Sequence, residues 1–442
     1  MNKSVGSVKK PDIFSHIIPI YYLSKFTGLA PLSLAYTNDK KGIVGVTLKT
    51  SVFGILHTVL TIMGIIGAQC CFLYFSDELP IKDERKKKAV KFEILINGVA
   101  GVTGLVISLI RIRKQMDELL FKMYVVDEML NTKFDILRTN EKHLRVQLIS
   151  LVSIVFIVYA NDGLVTPFDY SVLIIYVCTS IKIVTIIQFV NLVFLLRQKF
   201  QILNSYLAPA ENTTQRRNNT NLWEIMLQTP GFRNEDNWKD DTVQIEAFYQ
   251  ALNRRHCSNI ILQDSASICI QNSWLHKEKI RCRALRIIWD VLCDISSSVN
   301  SMYGLQILLC IVSAFIEITT NLSYSITKIP LNAITNVLFY RHLLTPIIWA
   351  ITEFLLLFWI TATCSAACGE ANRSVTLLQK LLLLPELHPA TAAEIQLFLQ
   401  QTRDRKPKFT AWDVFTINYS LLGSTVGAIT TFLVILVQFL TS

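Results

Sequence analysis

Residues 415–440 read FTINYSLLGSTVGAITTFLVILVQFL, a stretch without one charged side chain. At 1.5 Å per residue such a helix is about 39 Å long, more than the roughly 30 Å of a bilayer's hydrocarbon core. Hydrocarbon offers backbone amides no partner, so a run of this kind spans as a helix that satisfies them internally. Working outward, similar runs recur at 51–75, 94–110, 147–160, 171–196, 299–322 and 343–366. The run 147–160 is short and reaches full length only through the polar Arg145 and Gln147 before it. The run 94–110 is also short, but Arg111, Arg113 and Lys114 follow at once and mark a membrane exit. With 51% hydrophobic and only 17% charged residues among 442, the chain does not have a soluble protein's composition. The expectation is an all-α membrane protein of seven transmembrane helices forming a single domain, 1–442.

A net charge of +10 first points to nucleic acid, yet in a membrane protein the placement of Lys and Arg matters more than their sum. With the N-terminus inside, 34 of the 43 fall in the segments 1–50, 111–146, 197–290 and 367–414, and 8 in the opposite loops. The remaining one, Lys182, lies inside the fourth span. This bias predicts an inverted topology, N-terminus cytosolic and C-terminus extracellular, and no nucleic-acid partner. The loop holding Arg85, Lys86, Lys87, Lys88 and Lys91 runs against the bias, partly offset by Asp77, Glu78, Asp83 and Glu84. No signal peptide opens the chain: Ile13 to Leu23 is short and broken by His16 and Pro19, and reads as a docked cytosolic or interfacial helix. No cysteine falls in the middle of an outside loop, so extracellular disulfides are not expected, and Cys70 and Cys71 read as free thiols packed in the membrane.

The long cytosolic loop 197–290 has a polar, disordered middle around Asn212 to Thr220, and helical edges. Arg197 to Leu207 continues the fourth helix, and Lys277 to Ser297 carries Leu285, Ile288, Leu292 and Ile295 at helical spacing. The segment 367–414 reads the same way, with Leu377, Leu378, Leu381 and Leu382, then Pro385, then a second helix through Ile395, Leu397 and Leu399. Together with Met116, Leu119, Leu120 and Met123 these predict a helical cytosolic platform.

On a helical wheel the last span divides. Ser420, Gly423, Ser424, Gly427, Thr431, Val434 and Gln438 share an arc of about 100°, opposite an apolar face of Leu422, Val426, Ile429, Leu433, Leu436, Val437 and Leu440. Gly423 and Gly427 make a GxxxG spacing, which packs helices closely. Gln438, a buried amide on the same stripe, needs water or a partner, and a small polar stripe ending in a ring of amides suits a symmetric pore. Both readings stand on the wheel alone.

The stretch Thr431, Phe432, Leu433, Val434, Ile435, Leu436, Val437, Gln438, Phe439 resembles the insect gustatory receptor signature: Thr-Tyr, five apolar residues, Gln-Phe. Phe432 replaces the usual Tyr. Phe409, Thr410, Ala411, Phe415, Thr416 and Tyr419 before it fit the family as well, as do Asn300, Tyr303, Gly304, Leu305 and Gln306, and Arg197, Phe200 and Asn204. The resemblance implies a tastant-gated, non-selective cation channel of chemosensory neurons. It implies a homo- or hetero-tetramer whose pore is lined by the last helix, 415–440, in contact with membrane lipid. Gln438 and Phe439 would stand at the constriction, with Thr431, Val434 and Gly427 along the pore, and a small-molecule tastant would bind in the outer half of each bundle. Sugar receptors of the family carry Glu where Leu433 stands, which points to a bitter or other non-sugar tastant, with a fructose-type receptor as the alternative.

Lys182, Glu317 and Glu353 lie within spans, where charge is expensive and meets a partner or a wet cavity. Lys182 and Glu353 fall at similar depth, about 15 Å from the outer ends, with Glu317 shallower, so a Lys182–Glu353 pair is expected. It either locks the fourth and sixth helices or borders the tastant pocket beside Tyr176, Trp349 and Phe354. His57 and His342 have no companion at metal-ligand spacing, and no metal or cofactor is expected. A G-protein-coupled receptor would place the N-terminus outside and carry Asp-Arg-Tyr after the third span and Asn-Pro-x-x-Tyr in the seventh, which are missing. An enzyme would need an HExxH, GxSxG or Walker pattern, and none occurs. An insect odorant receptor shares the architecture, and the Gln-Phe ending separates the two.

Overall fold

A computed structural model of the protein describes residues 21–38, 44–75, 84–130, 156, 158–160, 170–208, 273–327, 337–385 and 387–441. Among the described residues eight helices carry the fold: α1 (Val52–Phe75), α2 (Glu84–Ile107), α3 (Arg113–Leu130), α4 (Tyr170–Leu207), α5 (Ser273–Thr327), α6 (Val337–Leu382), α7 (Pro389–Asp404) and α8 (Tyr419–Thr441). Six of them, all but α3 and α7, are long and apolar enough to cross a membrane. The third expected span, 147–160, lies outside the described residues except for 156 and 158–160, which are helical. So does the middle of the 197–290 loop.

The long helices overrun the bilayer. The 55 residues of α5 make roughly 80 Å of helix, and about 50 Å of it extends beyond a 30 Å hydrocarbon layer. Its Ser273 end and the Leu382 end of α6 pack with α7. His388 caps α7, its Nδ1 accepting from Ala390 N at 3.2 Å with Pro389 in the first turn, so the second helix expected after Pro385 forms. Trp289 anchors this bundle, its ring 5.3 Å from Phe200 and 6.2 Å from Phe398.

Two short hairpins among the described residues accompany the all-helical membrane fold. Leu32–Asn38 (β1) pairs antiparallel with Val44–Thr50 (β2), and Thr410–Ala411 (β3) with Phe415–Thr416 (β4). Of the segment 13–23 expected as a docked helix, 13–20 lie outside the described residues and 21–23 open a helical stretch that runs to 26; the chain then turns at Gly28, whose φ of +80° favours glycine. The turn is held down: Thr58 Oγ1 donates to Gly28 O at 2.6 Å, Ser108 Oγ donates to Leu29 O, and Gln188 Nε2 donates to Ser24 Oγ at 2.6 Å. Ser108 opens a π-helical turn, Ser108–Ile112, between α2 and α3, at the membrane exit marked by Arg111.

The hub is α4, packed against α1, α2, α3, α5 and α6. Every residue from Ile181 to Val193 is buried, as expected of a helix apolar nearly all round. Its neighbours form one core running through α3, α4, α5, α6 and α7 to Phe409, Ala411, Ile417 and Ile429. A smaller core joins Leu29, Ile65, Leu105, Cys178, Ile181 and Val184. By contrast α8 packs along one edge, mainly against α5 and α6 among the described residues.

Candidate functional site

Two places gather polar groups where hydrocarbon would not tolerate them singly. The first is centred on Lys182. Its Nζ donates to Glu317 Oε1 at 2.5 Å and to Glu353 Oε1 at 2.8 Å, so α4, α5 and α6 meet on one ammonium group. None of the three residues is more than 3% exposed. Ser313 Oγ lies 2.8 Å from Glu317 Oε1 and 2.5 Å from Asn97 Oδ1, and its one proton serves either at a time. Asn97 brings α2 into the same network. Two buried atoms in it, Glu353 Oε2 and Asn97 Nδ2, have no hydrogen-bond partner among the described residues.

The expected Lys182–Glu353 pair is thus present, but Glu317 belongs to it, correcting its shallower assignment. The reason is length: α5 runs to Thr327 rather than 322, which puts Glu317 ten residues, about 15 Å, from that end.

One helical turn from Glu353 on α6, toward the Val337 end, stands Trp349. Its ring lies 6.5 Å from that of Tyr176 on α4 and 5.7 Å from that of Tyr159. Tyr159 and Tyr176 stack at 4.3 Å and 17°. The Tyr159 hydroxyl sits 3.2 Å from both Tyr176 O and Ser180 Oγ, fixing the ring. All three rings are half-buried. Tyr159 is absent from the sequence-based set; a tyrosine at the end of a weak span reads as an interfacial anchor, and nothing in its spacing shows the partners. Phe354 packs half-buried against the main core.

The second place is α8. Thr425 and Ile429 are buried and Leu421, Leu422 and Leu433 pack against the core, while Ser420, Gly423, Ser424, Gly427, Thr431, Val434 and Gln438 are exposed. A Cβ on Gly423 or Gly427 would meet no described atom within 4 Å, so the GxxxG spacing packs against nothing among the described residues. Gln438, expected as a buried amide, is exposed instead, because α8 rests on its subunit along one narrow edge. Thr431 Oγ1 donates to Gly427 O at 2.9 Å. Phe439 follows in the same helix.

The residues that resemble the family between these places hold α8 in position. Asn300 Nδ2 donates to Lys408 O at 2.5 Å, and Asn300 Oδ1 accepts from Thr410 N at 3.3 Å. Gly304 sits under the β3–β4 turn, where a Cβ would come within 3.1 Å of Trp412 N. The turn itself uses positive φ at Trp412 (49°) and Asp413 (57°). Tyr303 is buried against Phe189, and Phe189 meets Phe409 edge-on at 6.2 Å. Arg405 clamps the start of this linker to α5, donating to Asp290 Oδ1 at 2.5 Å and to Asp294. Partial burial works against the Arg405 charge, but hydrogen bonds to Asp294 and Asp290 outweigh it and raise its pKa. Asn204, further along α4, donates to Glu370 O at 2.8 Å and accepts from Ser374 at 2.5 Å.

His57 lies beside Gly28, and no group of three metal-binding side chains forms among the described residues. Cys70 and Cys71 carry free, exposed thiols on α1.

A family model described as 7tm Chemosensory receptor matches residues 17–440. The chain belongs to this family and is a multi-pass membrane chemosensory receptor, not an enzyme. The fold is similar to that of the insect olfactory receptor OR5 from Machilis hrabei, with a TM-score of 0.62 at 11% identity over 97% of this chain and 98% of that one. The same receptor in complex with eugenol matches with a TM-score of 0.59 at 11% identity over the same shares. Curated protein sequences contain no match.

Proposed function

We propose that the chain is a gustatory receptor, a tastant-gated, non-selective cation channel built as a homo- or hetero-tetramer around α8. The observation that carries this reading is the exposed stripe of Ser420, Gly423, Ser424, Gly427, Thr431, Val434 and Gln438, small or polar residues on a helix that its own subunit covers along one edge. In lipid alone such a stripe gains nothing; four copies facing an axis would give a narrow, hydrated path with Gln438 and Phe439 at its outer end. The resemblance of Thr431 to Phe439 to the gustatory signature favours taste over odour, and Leu433 favours a bitter or other non-sugar tastant.

The ligand's place is the cluster of Tyr159, Tyr176 and Trp349 above Lys182 and Glu353. With the N-terminus inside, as the charge bias requires, this end of the bundle faces the exterior. A few convergent polar groups under ring faces suit a small molecule, and the relative OR5 takes eugenol. Epitope tags at the two termini of the expressed receptor test the topology in intact cells. A C-terminal tag labelled without permeabilisation, with the N-terminal tag hidden, is expected, together with tastant-evoked currents; an exposed N-terminus overturns the reading.

A further inference from the structure

The buried network sets two carboxyl groups against one ammonium group. Lys182 supplies one positive charge, and Glu317 and Glu353 supply two carboxyl groups, all at 3% exposure or less. Glu317 Oε1 has both Lys182 and Ser313 as neighbours, whereas Glu353 has Lys182 and the Glu317 carboxyl, and its Oε2 is buried without a partner among the described residues. A buried carboxylate oxygen is costly unless a donor reaches it, and a charged donor satisfies it best.

The surroundings say which kind of cation fits. An inorganic ion needs several oxygen ligands at short distance, and no group of three metal-binding side chains occurs among the described residues. An organic ammonium needs one carboxylate for its N–H and ring faces for its charge and carbon. Trp349 stands one turn from Glu353 on the same face of α6, and Tyr176 and Tyr159 extend the ring surface, their centroids 6.5 and 5.7 Å from that of Trp349. Resting on the reading of this cluster as the ligand pocket, we propose that Glu353 Oε2 accepts the N–H of a protonated amine whose apolar part lies against Tyr159, Tyr176 and Trp349. The receptor's ligands are then organic ammonium compounds rather than neutral molecules such as sugars.

The test uses the full-length receptor in detergent, with phenethylammonium chloride as probe and 2-phenylethanol as the neutral molecule of the same shape. Affinity is read from the ligand-dependent rise of the thermal unfolding midpoint. The ammonium is expected to bind about ten-fold or more tightly than the alcohol. Glu353→Gln should erase that preference, Glu353→Asp should keep it, and Trp349→Ala should weaken both probes. If Glu353→Gln fails to fold, Glu317→Gln removes the second carboxyl group, leaves Glu353 to Lys182, and should lower ammonium affinity alone. Equal binding of the two probes, or no binding of the ammonium, overturns the proposal. Should Trp349→Ala weaken both probes while the Glu353 and Glu317 variants leave their ratio unchanged, charge selection falls and the pocket stands. If none of the substitutions alters either probe, the pocket reading falls too.

Discussion

Helices α4 and α8 are both apolar runs long enough to span a membrane, yet 89% of the apolar stretch of α4 is buried inside the subunit against 11% for α8. Their polar residues differ in the same sense. Three of those on α4 point into the protein and are tied off there: Lys182 on two glutamates, Gln188 on Ser24, Asn204 on Glu370 and Ser374. On α8, Ser420, Ser424, Thr430, Thr431 and Gln438 are exposed and Thr425 is buried, and a Cβ on its glycines would meet no described atom within 4 Å. Hydropathy therefore identifies a span but not its solvent. The difference separates a helix that holds the fold together from one the fold presents to something else.

Substitutions along the two helices should reproduce this division, and the largest effect is expected at the hub. Lys182→Met leaves two carboxyl groups without their shared cation, a loss of about 3–5 kcal/mol in a buried site. It should abolish surface expression, measured by biotinylation, and the triple change with Glu317→Gln and Glu353→Gln should restore part of it. A hub that tolerated the single change would erase the distinction. Next comes the joint between the two regions. Gly304→Val drives a side chain into the Trp412 backbone at a contact already 3.1 Å from a bare Cβ, costing about 1–3 kcal/mol of thermal stability. Its effect on current should exceed its effect on folding, because the β3–β4 turn sets where α8 begins. Tyr159→Phe removes one hydroxyl that bridges to Ser180 and should lower stability by about 1 kcal/mol, with the ring stack preserved. The smallest change in stability is expected on α8: Gly427→Ala should be neutral to stabilising, by up to about 1 kcal/mol, since Ala is the better helix former and its Cβ meets open space. If Gly427→Ala unfolded the subunit, the stripe would be packing within the chain after all.

Much of this was legible in the sequence, for a physical reason. Lys182 and Glu353 announce themselves because charge inside a span needs a partner, and depth arithmetic pairs them. Glu317 was misplaced by that arithmetic because the polar outer turns of α5 up to Thr327 hide where the helix ends. Tyr159 could not be found, since ring stacking joins residues by tertiary placement and leaves no periodicity. The β1–β2 and β3–β4 hairpins were missed for a related reason: short strands beside long apolar helices carry little pattern of their own. The wheel of α8 grouped the exposed stripe, but the covered edge depends on α5 and α6: it takes Thr425 with Ile429, while Val426 and Val437 of the apolar face stand exposed. Thus Gln438 was read as buried and stands exposed.

The central claim, that the stripe of α8 lines the ion path, is tested most directly by cysteine scanning from Ser420 to Gln438 during ligand-evoked current. Charged thiol reagents should alter the current at Ser424, Gly427, Thr431, Val434 and Gln438 and leave it unchanged at Thr425, Ile429 and Leu433. Modification that ignores this face, or currents that vanish when G-protein signalling is blocked, would contradict the account.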